Sequence, residues 1–175
     1  MITLVPLFSR RADEVEALLD RAFEPGRHAR TAYKVRGDAA AIPNLSFAAT
    51  EGDTLLGSIQ CWPVTLTLDG ETRPPVPLVM IGPVAVEPAR QRDGIGRQLM
   101  SRALNAAADD GADAAMMLIG DPEYYGRFGF SDERTADWRL PGPVERRRLL
   151  ARGAAVPATP GLLGPALVSG AVTAG

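Results

Sequence analysis

The chain begins with a helical spacing of apolar residues and continues with strand-like runs. Residues 13–23 predict a helix, because apolar side chains recur there three and four positions apart, at Val15, Leu18, Leu19 and Ala22. Residues 27–36 predict a second, short helix. Further on, apolar and β-branched residues gather between turn signals, and we expect antiparallel strands over residues 45–50, 54–62, 64–68 and 76–86.

The strongest helical pattern lies in the middle of the chain. Residues 94–109 carry one apolar stripe, formed by Ile95, Leu99, Met100, Ala103, Leu104 and Ala107. A short apolar run at 114–119 predicts a buried strand. Because a helix separates this strand from strand 76–86, the two are expected to be parallel. Residues 122–127 predict a short helix with a proline in its first turn.

The C-terminal part has a less regular pattern. A turn is expected at 141–143, and residues 145–152 fit either a short helix or a strand. The Ala-, Gly- and Pro-rich residues 154–175 fit a closing strand pair or a loose end. The whole pattern predicts an α/β (α+β) fold with a mixed sheet and a parallel pair at its centre. We expect one domain over residues 1–175, with its motifs concentrated in residues 76–130.

Composition narrows the class of protein. Of the 175 residues, 46% are hydrophobic, which predicts a globular domain rather than disorder, and the net charge of −2 gives no sign of nucleic-acid binding. No run approaches the roughly 20 apolar residues that cross a bilayer, and the first residues do not resemble a signal peptide. Cys61 is the only cysteine, which argues against a disulfide or cysteine-rich metal site and fits a reducing cytoplasm. We therefore expect a cytoplasmic protein without a membrane partner or a metal, as a monomer or a homodimer.

The turn before the central helix suits a phosphate group. Gly94 and Gly96 let an anion approach the main chain closely, because neither has a β-carbon. The first turn of a helix also offers free N–H groups and the positive end of the helix dipole. Arg90, Arg92 and Arg97 add positive charge nearby. Neither the Gly-Lys-Ser/Thr ending of a Walker loop nor the third glycine of a dinucleotide fingerprint is present.

Two motifs, in this order, resemble those of the GNAT acyltransferases. The first is Gln91-Arg92-Asp93-Gly94-Ile95-Gly96, which resembles the family's pyrophosphate loop, Gln/Arg-x-x-Gly-x-Gly/Ala. The second is Tyr125-Gly126-Arg127-Phe128-Gly129-Phe130, which resembles its Tyr-x-x-x-Gly-Phe ending. In the order of elements the resemblance covers about residues 45–130. Residues 23–27, the Gly82-Pro83 break and residues 120–130 resemble the bacterial YhbS-like group in particular.

The resemblance implies an N-acetyltransferase that passes an acetyl group from acetyl-CoA to a primary amine by direct attack in a ternary complex. It implies two central strands that splay apart around the pantetheine arm. The residues it assigns to the cosubstrate are Val84, Ala85, Val86, Gln91, Arg92, Asp93, Gly94, Ile95, Gly96 and Arg97. The backbone N–H of Val84, after a bulge at Gly82-Pro83, is expected to polarise the thioester carbonyl, and Tyr125 to protonate the departing thiolate.

Three positions need separate interpretation. Asp93 would repel a pyrophosphate, so we expect its side chain to turn away, toward a neighbouring arginine. Cys61 has no activating histidine beside it in the sequence, which argues against a covalent acyl-enzyme. No carboxylate lies in residues 78–86, where many members of the family place a general base. The alternatives for the base are Glu87, Asp121, Glu123, His28 and a water molecule.

The acceptor side is predicted from charge. Residues 23–36 are basic and partly aromatic, with Arg27, His28, Arg30, Tyr33 and Lys34. A basic rim favours an acceptor that carries a carboxylate or phosphate besides its amine, and a solvated helix face is the alternative. Because the strand carboxylate is missing, a non-catalytic acyl-CoA-binding or sensing module on the same fold is the rival interpretation, and a nucleotide-binding regulator is a third.

Overall fold

A computed structural model describes residues 1–70 and 73–166, which form one sheet with helices on both faces. The strands are β1 (Thr3–Pro6), β2 (Phe47–Glu51), β3 (Thr54–Leu68), β4 (Val76–Val86), β5 (Met116–Ile119), β6 (Trp138–Arg139), β7 (Leu149–Arg152) and β8 (Gly161–Pro165). The α-helices are α1 (Ala12–Ala22), α2 (Thr31–Arg36), α3 (Ile95–Asp109) and α4 (Pro122–Tyr125). Short 3₁₀ turns lie at Leu7–Ser9, Arg27–Ala29, Pro43–Leu45, Pro88–Arg90, Ala112–Ala114, Gly126–Phe128 and Arg146–Arg148.

The sheet has the strand order β1-β2-β3-β4-β5-β7. β4 and β5 are parallel, and every other pair along this path is antiparallel. β8 pairs antiparallel with the second half of β3 and carries β6 beside it in parallel. The predicted mixed sheet with a central parallel pair is therefore confirmed. No helix in the described ranges has the length and apolar character to cross a bilayer.

The parallel pair separates soon after it forms. β4 and β5 are in register only at Val79↔Met116 and Met80↔Met117. Beyond these positions β4 stays with β3, while β5 stays with β7. The two strands therefore diverge toward their C-terminal ends and leave a V-shaped opening in the sheet, with unpaired backbone groups along its sides.

The prediction of separate strands at 54–62 and 64–68 was wrong, because β3 runs without a break through Pro63. The N–H of Val79, which lies opposite Pro63, donates to Ala115 on the β5 side, so this position needs no hydrogen bond between β3 and β4. On its other edge, β3 pairs with β2 up to Ile59 and with β8 from Val64. Pro63 falls in the gap between these partners, where its missing N–H leaves nothing unpaired.

Other differences concern short elements. β1 was not predicted, and residues 27–36 divide into a 3₁₀ turn and the shorter α2. Residues 122–127 likewise divide between α4 and a 3₁₀ turn, and the ambiguous segment 145–152 ends as strand β7. In the tail, residues 161–165 form the closing strand β8, while residues 167–175 lie outside the described ranges.

Both faces of the sheet are covered, which explains why β2 and β3 are apolar without strict alternation. α3 buries its predicted stripe on the face that carries Leu56, and α1 buries Leu18 and Leu19 on the face that carries Leu55. Successive side chains of a strand point to opposite faces, so neighbouring leucines enter different core layers. The V-shaped opening between β4 and β5 therefore lies between two packed layers.

Candidate active site

A β-bulge in β4 marks the point where the strands diverge. Ile59 faces Val84 and Cys61 faces Ile81, so Gln60 alone opposes both Gly82 and Pro83. The indole N–H of Trp62 donates to the carbonyl of Gly82 at 2.7 Å, which holds the bulge in place. The bulge that Gly82-Pro83 predicted is therefore present, and its neighbours on β3 fix its geometry.

The bulge reverses which way the backbone of β4 faces. Before it, the N–H of Val79 donates to Ala115 on the β5 side. After it, the N–H of Glu87 donates to Leu56 on the β3 side, at 2.7 Å. Backbone groups alternate in direction along a strand, so an unbroken strand would point residues 79 and 87 the same way. With the extra residue, Val84 and Val86 direct their N–H and C=O groups into the V-shaped opening, where a ligand can bind them.

The turn into α3 forms a cradle of free N–H groups. Gly94 precedes the helix with φ at +78°, a left-handed conformation that glycine adopts without strain. The first hydrogen bond of the helix runs from the N–H of Gln98 to the carbonyl of Gly94, at 3.1 Å. The N–H groups of Ile95, Gly96 and Arg97 therefore have no acceptor within the helix, and they suit an anion.

The negative charge in this turn is neutralised by a neighbour. Arg90 binds Asp93 and also Glu51, the latter at 2.9 Å, so the Asp93 side chain turns toward an arginine as predicted. Among the described residues, Arg92 and Arg97 form no ion pair, and neither does Arg127, whose guanidinium donates to the Tyr124 carbonyl at 3.0 Å. Arg127 was predicted only as part of the Tyr-x-x-x-Gly-Phe motif. Its place within that motif, beside the tyrosines, was the available signal.

Two cavities meet at the V-shaped opening. The loop cleft, about 580 Å³, is bounded by Val84, Val86, Gln91, Gly94, Gly96 and Arg97. The inner cavity, about 480 Å³, is bounded by Arg36, Met80, Gly82, Leu118, Asp121 and Arg148. Val84, Tyr124 and Tyr125 line both. A molecule that binds in the loop cleft can therefore meet a second molecule in the inner cavity beside these three residues.

Seven of the residues that sequence assigned to the cosubstrate line the loop cleft: Val84, Val86, Gln91, Arg92, Gly94, Gly96 and Arg97. The structure does not bring Ala85 there, because its backbone faces β3 and its side chain packs in the core beside α1. Ile95 is fully buried and Asp93 is bound to Arg90, so these two offer main-chain groups only.

The two tyrosines of α4 reach different sides of this junction. The Tyr125 ring lies over Gly120, where a β-carbon would come within 2.5 Å of Tyr125 Cε2. Only glycine allows this approach. The Tyr124 hydroxyl faces the start of α3, 3.5 Å from the position of a β-carbon on Gly96. The rings meet edge to face, with centroids 4.9 Å apart. Tyr124 therefore directs its hydroxyl toward the loop cleft, while the residue also lines the inner cavity.

Burial sets the chemistry of Tyr125. Its side chain is largely enclosed, and the desolvation raises its pKa to about 12, with the charges of Tyr124 and Asp121 acting in the same direction. The phenol therefore stays protonated throughout the neutral range. No described residue accepts a hydrogen bond from its hydroxyl. Tyr125 is thus a proton donor without a fixed acceptor in the protein.

Of the four side chains that are candidates for the general base, only one lies at the inner cavity. Glu87 is in an ion pair with Arg21 at 2.9 Å, Glu123 is in an ion pair with Arg147, and neither lines the inner cavity. His28 is 64% exposed and packs against Tyr33, also away from the cavity. Asp121 does line the inner cavity. Asp121 is exposed, and a hydrogen bond with the Glu123 carboxyl, followed by a smaller loss of hydration, raises its pKa.

The predicted basic rim is largely neutralised. Arg27 is 3% exposed and donates to Asp20, Glu16 and the Tyr33 hydroxyl. These bonds outweigh its desolvation and raise its pKa. It anchors residues 27–36 to α1, and four of its five N–H donors are used in these bonds. Arg30 makes a two-point contact with Glu24 at 2.6 and 2.7 Å. Arg27 and Arg30 thus line the inner cavity, but their charges are already paired with carboxylates.

Comparison with known proteins assigns this arrangement to one family. The sequence pattern of a family described as "Acetyltransferase (GNAT) domain" matches residues 6–132. A curated protein of Escherichia coli strain K12, the uncharacterized N-acetyltransferase YhbS, is 31% identical over 132 residues, which is 75% of each chain.

Solved structures with the same fold contain bound CoA or acetyl-CoA. The crystal structure of YhbS from E. coli in complex with CoA superposes with a TM-score of 0.70 at 26% identity and covers 95% of this chain and 89% of that one. A GNAT family acetyltransferase from Brucella melitensis in complex with acetyl-CoA gives a TM-score of 0.52 at 26% identity, covering 89% and 97%.

Proposed function

Because the chain belongs to the GNAT acetyltransferase family, we propose that it transfers the acetyl group of acetyl-CoA to a primary amine by direct attack in a ternary complex. The observation that carries this proposal is the junction at Val84 and Tyr125, where the loop cleft opens into the inner cavity. The related structures with CoA and acetyl-CoA support the choice of cosubstrate.

The loop cleft supplies what the cosubstrate needs. The free N–H groups at the start of α3 would bind the pyrophosphate, with Arg92, Arg97 and Arg127 as charged partners. The amides of the pantetheine arm would pair with the backbone of Val84 and Val86, as an added strand pairs with a sheet edge. In this binding mode the pantetheine arm would reach the bulge, and the thioester at its end would lie between Val84 and Tyr125.

The chemical steps then follow from the groups at the junction. The amine nitrogen attacks the thioester carbon, and the negative charge that develops on oxygen is stabilised by the N–H of Val84. The C–S bond breaks, and the Tyr125 hydroxyl donates its proton toward the departing sulfur. The nitrogen loses one proton in forming the amide. Asp121, in the inner cavity with a raised pKa, is placed to receive it, directly or through water.

The direct route needs no cysteine nucleophile, and the structure offers none. Cys61 is fully buried, and desolvation raises the pKa of its thiol to about 12. We expect native protein to resist alkylation by iodoacetamide and Cys61→Ala to retain acetyl transfer, because a buried neutral thiol is a poor nucleophile. Mass spectrometry after incubation with acetyl-CoA alone should find no acetylated Cys61. Acetylated Cys61, with activity lost in Cys61→Ala, would replace direct attack by a covalent route.

The proposal is tested by incubating the protein with acetyl-CoA and a panel of amines. Thiol release is followed with a chromogenic reagent, and the product is identified by mass spectrometry as an amine that carries one added acetyl group. We expect amine-dependent release of CoA. Binding of acetyl-CoA without release in the presence of any amine would instead favour the non-catalytic acyl-CoA-binding module.

A further inference from the structure

The inner cavity combines apolar walls with five charged side chains, of which Arg27 and Arg30 are bonded to carboxylates outside the cavity. Met80, Leu118 and Ile119 supply apolar surface from β4 and β5. Asp121 supplies the one carboxylate among its described lining residues, close to the junction with the loop cleft. Arg36 and Arg148 supply positive charge that no described residue matches with an ion pair. The cavity is therefore suited to a small molecule that carries charges of both signs.

Arg36 is held rigidly and lacks a carboxylate partner among the described residues. Its guanidinium stacks between two rings, with 3.9 Å to the centroid of Tyr33 and 3.8 Å to that of Trp62. Burial lowers its pKa, although an arginine remains charged at neutral pH. Aromatic stacking fixes the plane of the guanidinium but uses none of its N–H donors. A planar, oriented cation of this kind suits a carboxylate.

Arg148 lines the same cavity from a distant segment of the chain. It precedes β7, and its backbone carbonyl accepts a hydrogen bond from the N–H of Gly120 at 2.9 Å, which ties it to the end of β5. Its side chain is exposed and makes no hydrogen bond or ion pair within residues 1–70 and 73–166. Its positive charge lowers the pKa of Tyr125 and so opposes part of the increase that desolvation causes. Arg148 is therefore near the reacting groups and available to a ligand.

We infer that the acceptor is a small amino acid-like molecule, whose amine faces Asp121 and Tyr125 while its carboxylate binds Arg36 and Arg148. This rests on the proposed function, because it names the acceptor class for the same reaction. A zwitterion satisfies the carboxylate and both arginines at once. A simple amine would leave two cations in the cavity without a counter-charge, and a polycation would be repelled by them.

The inference is tested with matched acceptors. Phenylalanine, phenylalaninamide and phenethylamine share the apolar ring and the primary amine, but only phenylalanine carries a carboxylate. Leucine and leucinamide form a second pair. We expect KM to be about 10-fold or more lower for each acid than for its amide, as a charge-assisted contact would give. The amine of the amide is the weaker base, so a larger fraction of it is neutral and able to attack. This difference alone would favour the amide and therefore works against the expected result.

Variants assign the preference to residues. Arg148→Gln and Arg36→Gln should each raise KM for the acids and leave KM for the amides nearly unchanged, so that the preference collapses. Arg36→Lys keeps the charge and should restore part of it, which separates loss of charge from loss of stacking. Lys34→Gln is the matched control, since it removes one positive charge from the exposed side of the same helix, outside the cavity. It should keep the preference.

Binding of the reaction product gives a readout that does not depend on catalysis. By calorimetry, CoA-loaded protein should bind N-acetylphenylalanine more tightly than N-acetylphenylalaninamide, and Arg148→Gln should remove the difference. Equal KM values and equal binding for acids and amides, or a preference for spermidine, would overturn the amino acid-like acceptor while acetyl transfer stands. Failure to acetylate any amine, with the difference in binding intact, would overturn the proposed function and leave the anion site.

Discussion

Replacing Tyr125 with phenylalanine is expected to lower the rate of acetyl transfer by about 10²–10⁴-fold, the range typical of a lost general acid. The ring remains over Gly120, and the hydroxyl has no described hydrogen-bond partner, so packing should change little. Because the hydroxyl acts on the departing sulfur, the loss should appear in kcat, with the dissociation constant of acetyl-CoA largely kept. Single-turnover kinetics in a stopped-flow instrument measures this directly.

The pH dependence follows from the raised pKa of Tyr125. An ordinary tyrosine loses its proton near pH 10, and a pKa of about 12 moves that loss upward. The acid form therefore remains available, and the wild-type rate should not decline up to about pH 10 on account of this residue. Tyr124→Phe makes the comparison specific, because its hydroxyl faces α3 and should affect the affinity for acetyl-CoA. An unchanged single-turnover rate in Tyr125→Phe would remove Tyr125 from the mechanism.

Gly96→Trp should abolish binding of acetyl-CoA while the protein stays folded. A side chain at this position points into the loop cleft, toward the Tyr124 hydroxyl and the Val86 side chain, with its β-carbon 3.5 Å and 3.8 Å away. A β-carbon fits at these distances, but a large ring would fill the space proposed for the pyrophosphate. Gly96 has an ordinary helical backbone and no positive φ, so the substitution should cause little backbone strain.

Thermal denaturation with and without the cosubstrate reports this effect. At about 100 times its dissociation constant, a ligand stabilises the native state by about 2.7 kcal/mol. For a chain of this size that corresponds to a rise in Tm of roughly 5–10 °C. Wild-type protein should show the rise and Gly96→Trp should not. Gln98→Trp is the control, because it places the same bulk on an exposed position of α3 outside the loop cleft. An equal rise in Tm for Gly96→Trp and wild type would contradict the pyrophosphate assignment.

Local patterns along the sequence were enough to predict the elements that carry the candidate site. The stripe from Ile95 to Ala107 repeats at the helical period, and it is the stripe that α3 buries. The glycine turn before α3 is a local backbone requirement, since only glycine adopts the conformation of Gly94 without strain. The parallel arrangement of β4 and β5 followed from the helix between them.

Predictions failed where a distant segment decides the outcome. Pro63 suggested a break in β3, but the strand continues because neither neighbouring strand requires an N–H at that position. Strand β1 was not predicted, and the pattern of the tail left a closing strand and a loose end open; β1 and β8 form because β2 and β3 offer edges to pair with. Propensity for a strand depends on such neighbours more than on the residues themselves.

The charged residues also differ in how far the sequence predicts them: their positions are local, whereas their ion pairs depend on distant segments. Sequence correctly placed cations around the glycine turn and around residues 23–36, because charge and position are read directly from the chain. It did not show which of them are already paired. Arg27 is enclosed by Glu16 and Asp20 of α1, whereas Arg36 stacks on Trp62 from a different part of the chain. Arg148, more than one hundred residues from Arg36 in the sequence, lines the same cavity and has no ion pair with any described residue.

The sequence by itself therefore determined the family motifs, the order of the central elements and the chemistry available in the loop, because each depends on residues within about one turn or one strand of each other. Only the tertiary structure decided that Val84 faces the opening, that Tyr124 and Tyr125 reach different sides of it, and that Arg36 and Arg148 share a cavity with Asp121. These outcomes depend on register, packing and ion pairing between segments far apart in the chain, and no local pattern records them.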